Sequence, residues 1–313
     1  MVREEFYFKS CDRKNNVHAV RWIPEGKPVA ILQICHGMTE HILRYDRFAA
    51  FLAENGFYVT GHDHLGHGKT ARDKEDLGYF DKKRGNEYLI ADIHRLRGMT
   101  QERLPGVPYF ILGHSMGSFL VRQYLCLHGE GLFGAVIMGT GSYPLSVLAA
   151  GRMLCKGLSL VKGWHYRSKQ LQKMSFKGYN SAFEPVRTPC DWLTREEGIV
   201  DRYLEDPLCG FCFTVSAYNQ MFRGIQFVHA KENVDRMPKR LPVFFVSGGE
   251  DPVGGENGAG VRKVYEMFHE AGMLDVLIKI YPGARHEILN ELNYRDVQDD
   301  LLAWMLSRMS MDA

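Results

Sequence analysis

Four mainly apolar runs, Val29–Cys35, Phe57–Gly61, Tyr109–Gly113 and Ala135–Met138, alternate with helical periodicities through the first half of the chain. A strand with no polar face has no side to present to water, so such runs belong in a parallel sheet covered on both faces. Helical patterns cover Arg44–Asn55, Glu87–Leu104 and Met116–His128, with Gly56 and Gly129 placed as C-terminal stops. Two further strand candidates, Glu5–Cys11 and Val17–Ile23, precede this series. Repeated strand–helix–strand units pack as a right-handed, doubly wound sheet. The expected fold class is therefore α/β, a mostly parallel central sheet flanked by helices.

The alternation stops near Tyr143 and resumes at Leu241–Val246, followed by a helix at Gly260–Ala271, a strand at Val276–Tyr281 and a last helix at Arg295–Met309. Two strands alone are too little sheet for an independent domain. The expected organisation is a core of residues 1–142 and 236–313 interrupted by a helical insertion over 143–235.

Within this frame, Gly113-His114-Ser115-Met116-Gly117 falls where an apolar run passes into a helical pattern. Glycines at both ends leave room for a tight strand-to-helix turn, and the serine hydroxyl then stands clear of the sheet. Ser115 is the candidate nucleophile. A serine attacks poorly unless a base takes its proton, and that base needs an acid to fix its tautomer. Loops leaving two downstream strands supply both: Ser247–Val253 contains Asp251, and Pro282–Glu287 contains His286. Open α/β sheets place their ligands at such strand ends, and the order Ser115, Asp251, His286 is that of an α/β-hydrolase triad. Glu250 is the alternative acid, less favoured because the turn before Pro252 fixes Asp251 better.

Composition narrows the class. With 39 Lys and Arg against 37 Asp and Glu the net charge is +2, which gives no bulk attraction to nucleic acid. The start, Met1-Val2-Arg3-Glu4-Glu5-Phe6, has charges where a signal peptide needs an apolar core. Seven scattered cysteines fit reduced thiols better than a disulfide framework, so the expected location is cytoplasmic. Cys209 and Cys212 form one CxxC without a second ligand pair at zinc spacing; buried thiols are the expectation, with no metal and no cofactor.

The chain resembles the monoacylglycerol lipase and lysophospholipase branch of the α/β-hydrolases, grouped with the serine aminopeptidases. The resemblance rests on His36-Gly37-Met38-Thr39-Glu40-His41 with Arg44-Tyr45, on Gly61-His62-Asp63-His64-Leu65-Gly66-His67-Gly68, on the serine turn, and on the Asp251 and His286 loops. It implies an α/β-hydrolase fold with a helical lid formed by the insertion, which matches only around Asp206-Pro207-Leu208. It further implies hydrolysis of a carboxylic ester through an acyl-enzyme, with monoacylglycerols or lysophospholipids as substrates. In such enzymes the amide after the nucleophile, here Met116, joins a second amide in holding the oxyanion. By resemblance that second amide is Met38, with Gly37 the alternative donor. Gly37 and His114 are the expected substrate contacts. The His62–His67 stretch reads as a structural loop in which Asp63 caps amides and Gly66 and Gly68 supply turns, with a metal site as the alternative. Glu40, His41 and Arg44 read as scaffolding.

Between Tyr143 and Phe183 lie seven basic residues (152, 156, 162, 167, 169, 173 and 177) and no Asp or Glu, interleaved with leucines. A basic amphipathic segment fits peripheral contact with anionic lipid, and a solvated basic face over an ordinary lid is the alternative. Three rival functions remain: an aminopeptidase or amidase, which needs a lid carboxylate such as Glu184, Asp191, Glu196 or Asp206; an acyltransferase; and a non-catalytic binding protein, disfavoured by a complete triad.

Overall fold

The computed structural model describes residues 1–310. Eight strands form one sheet: β1 (Val2–Lys9), β2 (Asn16–Ile23), β3 (Ala30–Cys35), β4 (Phe57–His62), β5 (Tyr109–His114), β6 (Gly134–Met138), β7 (Val243–Gly248) and β8 (Val276–Tyr281). Their order is β1-β2-β4-β3-β5-β6-β7-β8. β1 and β2 pair antiparallel with each other, as do β2 and β4, and every other pairing is parallel. Ten helices accompany them among the described residues: α1 (Asp46–Glu54), α2 (Gly85–Arg103), α3 (Met116–His128), α4 (Leu145–Lys162), α5 (Lys169–Ser175), α6 (Glu197–Glu205), α7 (Val215–Phe227), α8 (Lys231–Val234), α9 (Ala259–Glu270) and α10 (Tyr294–Met309).

The central strands alternate between two cores. Ile31, Ile111, Ile137 and Phe245 face α2, α3 and α9, whereas Leu32, Leu112, Val136 and Phe244 face α1 and α10. The apolar runs are apolar throughout because both of their faces are covered. β8, at the edge, is the exception and is only partly buried.

Several boundaries differ from expectation by a few residues, and three differences have a local cause. β1 starts earlier and ends at Lys9, because Ser10 and Cys11 are taken by a turn: the Ser10 hydroxyl and the Cys11 amide donate to Asp92 at 2.7 and 2.6 Å. The expected helix from Arg44 opens instead as a 3₁₀ turn, Ile42–Tyr45, before α1. Gly56 adopts the left-handed conformation of a helix stop (φ 84°), but Gly129 does not (φ −68°); the left-handed turn after α3 falls at Gly131 (φ 72°). Gly129 is needed for close approach, since a Cβ there would meet the Leu125 carbonyl at 2.6 Å.

Between β6 and β7 the described residues form helices and no strand. This insertion does not pack by itself. Leu171, Phe213, Val215 and Tyr218 join the same apolar cluster as α2 and α3, and α7 is tied to α2 by an Arg223–Glu87 ion pair at 2.8 Å. Among the described residues, no helix is long and apolar enough to cross a membrane.

Candidate active site

The turn from β5 into α3 holds Ser115 at φ 54°, ψ −120°, a conformation that side chains rarely adopt and that costs on the order of 1–3 kcal/mol. The surroundings enforce it. Ser115 N–H donates to the Met138 carbonyl at 3.0 Å, and a Cβ at Gly117 would collide with the Cys35 carbonyl, so α3 starts against the end of β3 only with glycine there. Ser115 is partly exposed while its neighbours are buried.

Asp251 and His286 leave the ends of β7 and β8 and are 1% and 2% exposed. His286 Nδ1 lies 2.9 Å from Asp251 Oδ1, an arrangement that places the proton on Nδ1 and leaves Nε2 free to act as base. Asp251 also accepts the Val253 amide at 2.9 Å and the Ser247 hydroxyl at 3.2 Å. Burial opposes ionisation of Asp251, yet His286 and the Val253 amide hold its carboxyl below the usual carboxylate range. Glu250, by contrast, is exposed.

Gly37 and Met38 cross beside the serine; a Cβ on Gly37 would stand 3.1 Å from Ser115 Cβ. The Gly37 amide is already taken, donating to Glu40 Oε1 at 2.5 Å. The Met38 amide has no acceptor among the described residues, and the Met116 amide, at the first position of α3, has no intrahelical one. The Met38 and Met116 amides beside the serine are therefore without an acceptor, whereas the Gly37 amide is not.

Behind this loop sits a buried ion cluster. Arg44 spans Glu40 at 2.6 Å and Glu287 at 2.6 and 2.7 Å, tying the Gly37–Met38 loop to the residue after His286. Glu40 also accepts the Tyr45 hydroxyl at 2.8 Å. Tyr45 reaches His114 Nδ1 at 2.8 Å, and His114 Nε2 approaches the His286 carbonyl at 3.3 Å. Gly37 and His114 line the cavity described below, but their polar groups face this scaffold. Asp63 caps the amides of Ile42 and Lys69, both at 2.8 Å, and receives His18 Nδ1 at 2.7 Å. Gly66 and Gly68 turn the chain with φ of 71° and 47°. His67 Nε2 accepts the Thr39 amide at 3.3 Å, so this loop supports the Gly37–Met38 loop directly.

His41, Asp206 and Cys209 come together as possible ligands. His41 Nε2 and Asp206 Oδ2 are 2.8 Å apart, a hydrogen bond, and closer than the roughly 3.3 Å that two oxygen or nitrogen ligands keep on a tetrahedral zinc. Cys209 and Cys212 are free thiols, each pushed up by burial.

A cavity of about 510 Å³ opens onto Ser115, within the range of small-molecule sites. Val147, Leu148 and Leu154 of α4 and Met221, Phe222 and Ile225 of α7 form its apolar walls, and Ser115, His286, Glu40 and Arg44 its polar end. Glu184, Asp191, Glu196 and Asp206 do not line it. Asp191 is consumed by the Arg187 amide at 2.6 Å and the Thr188 hydroxyl at 2.5 Å. Trp192, which the sequence reading passed over, covers His286 with ring centroids 5.0 Å apart. No periodicity marks a loop residue whose partner lies 94 positions away.

Comparison with known proteins places these features. The serine aminopeptidase S33 family model matches residues 26–293. The chain is 29% identical to the monoglyceride lipase of Rattus norvegicus over 93% of this chain and 86% of that protein. It is 25% identical to the monoacylglycerol lipase of Mycolicibacterium smegmatis over 98% and 99%. A thermostable carboxyl esterase from Bacillus coagulans, solved with glycerol, superposes with a TM-score of 0.90 at 32% identity, covering 98% of this chain and 99% of that one. The chain belongs to the serine aminopeptidase S33 family and has the α/β-hydrolase fold.

Proposed function

We propose that the protein hydrolyses carboxylic esters, with monoacylglycerols as its substrates, through an acyl-enzyme on Ser115. Ser115 Oγ attacks the ester carbonyl carbon while His286 Nε2 takes its proton. The Met38 and Met116 amides hold the resulting oxyanion, where charge develops in a site screened from water. Collapse breaks the bond to the glycerol oxygen, which receives the proton from His286. Water, deprotonated by the same histidine, then releases the fatty acid. Asp251 fixes the histidine tautomer and stabilises its charged form.

The observation that carries this reading is the mainly apolar cavity lined by α4, α7 and Ser115, whose walls suit an acyl chain. The carboxylates that line it among the described residues, Glu40 and Glu287, are both hydrogen-bonded to Arg44, which leaves no unpaired carboxylate to receive the amine of an aminopeptidase substrate. Residues 143–235 act as the lid. Lys156, Lys162, Lys169, Lys173 and Lys177 are exposed beside Leu160 (88% exposed) and Val161 (80%), which supports peripheral contact with an anionic lipid surface. Free cysteines at all seven positions fit a cytoplasmic enzyme.

Fluorophosphonate labelling and turnover of monoacylglycerol, lysophospholipid and aminoacyl amide test the reading. Monoacylglycerol should be the preferred substrate, Ser115→Ala and His286→Ala should remove labelling and turnover, and Asp251→Asn should lower kcat on the order of 10⁴-fold. A folded Ser115→Ala protein that still turns over ester would refute the nucleophile, and preferred amide turnover would refute the substrate class.

A further inference from the structure

The insertion contributes to the histidine loop as well as covering the cavity. Residues 191–195 run beside residues 285–291, stitched at every step. Arg285 Nη1 donates to the Asp191 carbonyl at 2.6 Å. The amides of His286 and Glu287 donate to the carbonyls of Trp192 and Leu193 at 3.4 and 2.7 Å. The Thr194 hydroxyl donates to the Asn290 carbonyl at 3.0 Å, and Arg195 Nε to Glu291 Oε2 at 2.7 Å. A lid movement that carried this segment along would drag His286 with it.

At the centre of the seam, the imidazole of His286 packs against two rings, His114 at 4.7 Å between centroids and Trp192 at 5.0 Å, each tilted by 40°. Trp192 is itself held, by Tyr179 at 4.9 Å and 71° and by its amide, which donates to Asn180 Oδ1 at 2.8 Å. It is 9% exposed and lines the same cavity as Ser115.

We propose that Trp192 is a positioning residue for His286: the indole fixes the imidazole plane toward Ser115 and keeps water off that face of the His286–Asp251 pair. The inference rests on His286 being the base. An aromatic face within about 6 Å also favours the imidazolium formed in the transition state. The other ionisable groups around His286 are Asp251, His114 and Glu287, with Glu40 and Arg44 behind them and Arg285 turned toward the Asp191 carbonyl. None of them changes when Trp192 is replaced.

The test uses a soluble short-chain p-nitrophenyl ester, which needs no lipid interface, with the full-length protein. Trp192→Leu, which keeps an apolar filler, should lower kcat about tenfold with KM little changed. Trp192→Phe, which keeps a ring, should restore most of the rate. Circular dichroism and thermal melts establish that each variant is folded. A role in stability alone would lower the melting temperature and leave kcat of the folded enzyme in place. That outcome overturns the proposal, as does a Trp192→Phe variant no better than Trp192→Leu. His286→Ala is the control for the underlying reading: if it stays active the base is misassigned, whereas an inactive His286→Ala beside a wild-type-like Trp192→Leu overturns the role of Trp192 alone.

Discussion

Lowering the pH from 8 to 5 should cost this protein much of its stability, through histidines that the fold holds neutral. His62, His64 and His67 are fully buried. Burial first, and the neighbouring His36 second, push His62 and His67 down to about 3 and His64 well below its usual value. A folded-state value below the unfolded one means that the unfolded chain takes up a proton the native state refuses. The stability is present above about pH 6.5 and is lost as pH falls toward 3. From 6.5 to 5, each such histidine costs about 2 kcal/mol, so His62 and His67 together cost about 4 kcal/mol of a total typically near 5–15. His18 and His114 work in the opposite sense: their values are raised, against burial, by Asp63 and Glu40, and they favour the native state as pH falls. They are fewer, so loss wins. The ring nitrogens of His62 have no partner among the described residues, so His62→Leu removes a titrating group without breaking a hydrogen bond. Urea denaturation at pH 8 and pH 5 should show the variant near wild type at pH 8 and about 2 kcal/mol less sensitive to acid. Equal losses in the two proteins would refute the reasoning.

Two further outcomes follow from the geometry. Replacing Lys156, Lys162, Lys169 and Lys173 with Gln should weaken binding to anionic vesicles and raise KM for aggregated lipid, an effect that shrinks with salt because screening acts over about 10 Å at 0.1 M; equal effects on soluble ester would assign these charges to lid shape. Arg44→Ala should destabilise by about 3–5 kcal/mol by leaving Glu40 and Glu287 buried and unpaired, and a melting temperature unchanged from wild type would show that the cluster carries no such weight.

Much of the architecture was legible in the residues because the relevant signals are local. Runs such as Tyr109–Gly113 are apolar on both faces only when both faces are covered, and the glycines around Ser115 are dictated by a turn five residues long. Asp251 and His286 were legible because strand ends are where an open sheet exposes side chains. The bounds of β1 were not legible, because its end is set by Asp92, a residue 82 positions from Ser10. That the Gly37 amide is occupied while the Met38 amide is not depended on one hydrogen bond to Glu40.

Fold class, the elbow and the order of the candidate catalytic groups are each written in short-range periodicity or in residue type. Tertiary packing joins the Gly37–Met38 loop to Glu287 through Arg44, keeps Glu184, Asp191, Glu196 and Asp206 out of the cavity lining, and lays Trp192 over His286. Those are contacts between segments 94 to 243 residues apart. Packing and burial choose such partners, and neither is encoded in the spacing along the chain.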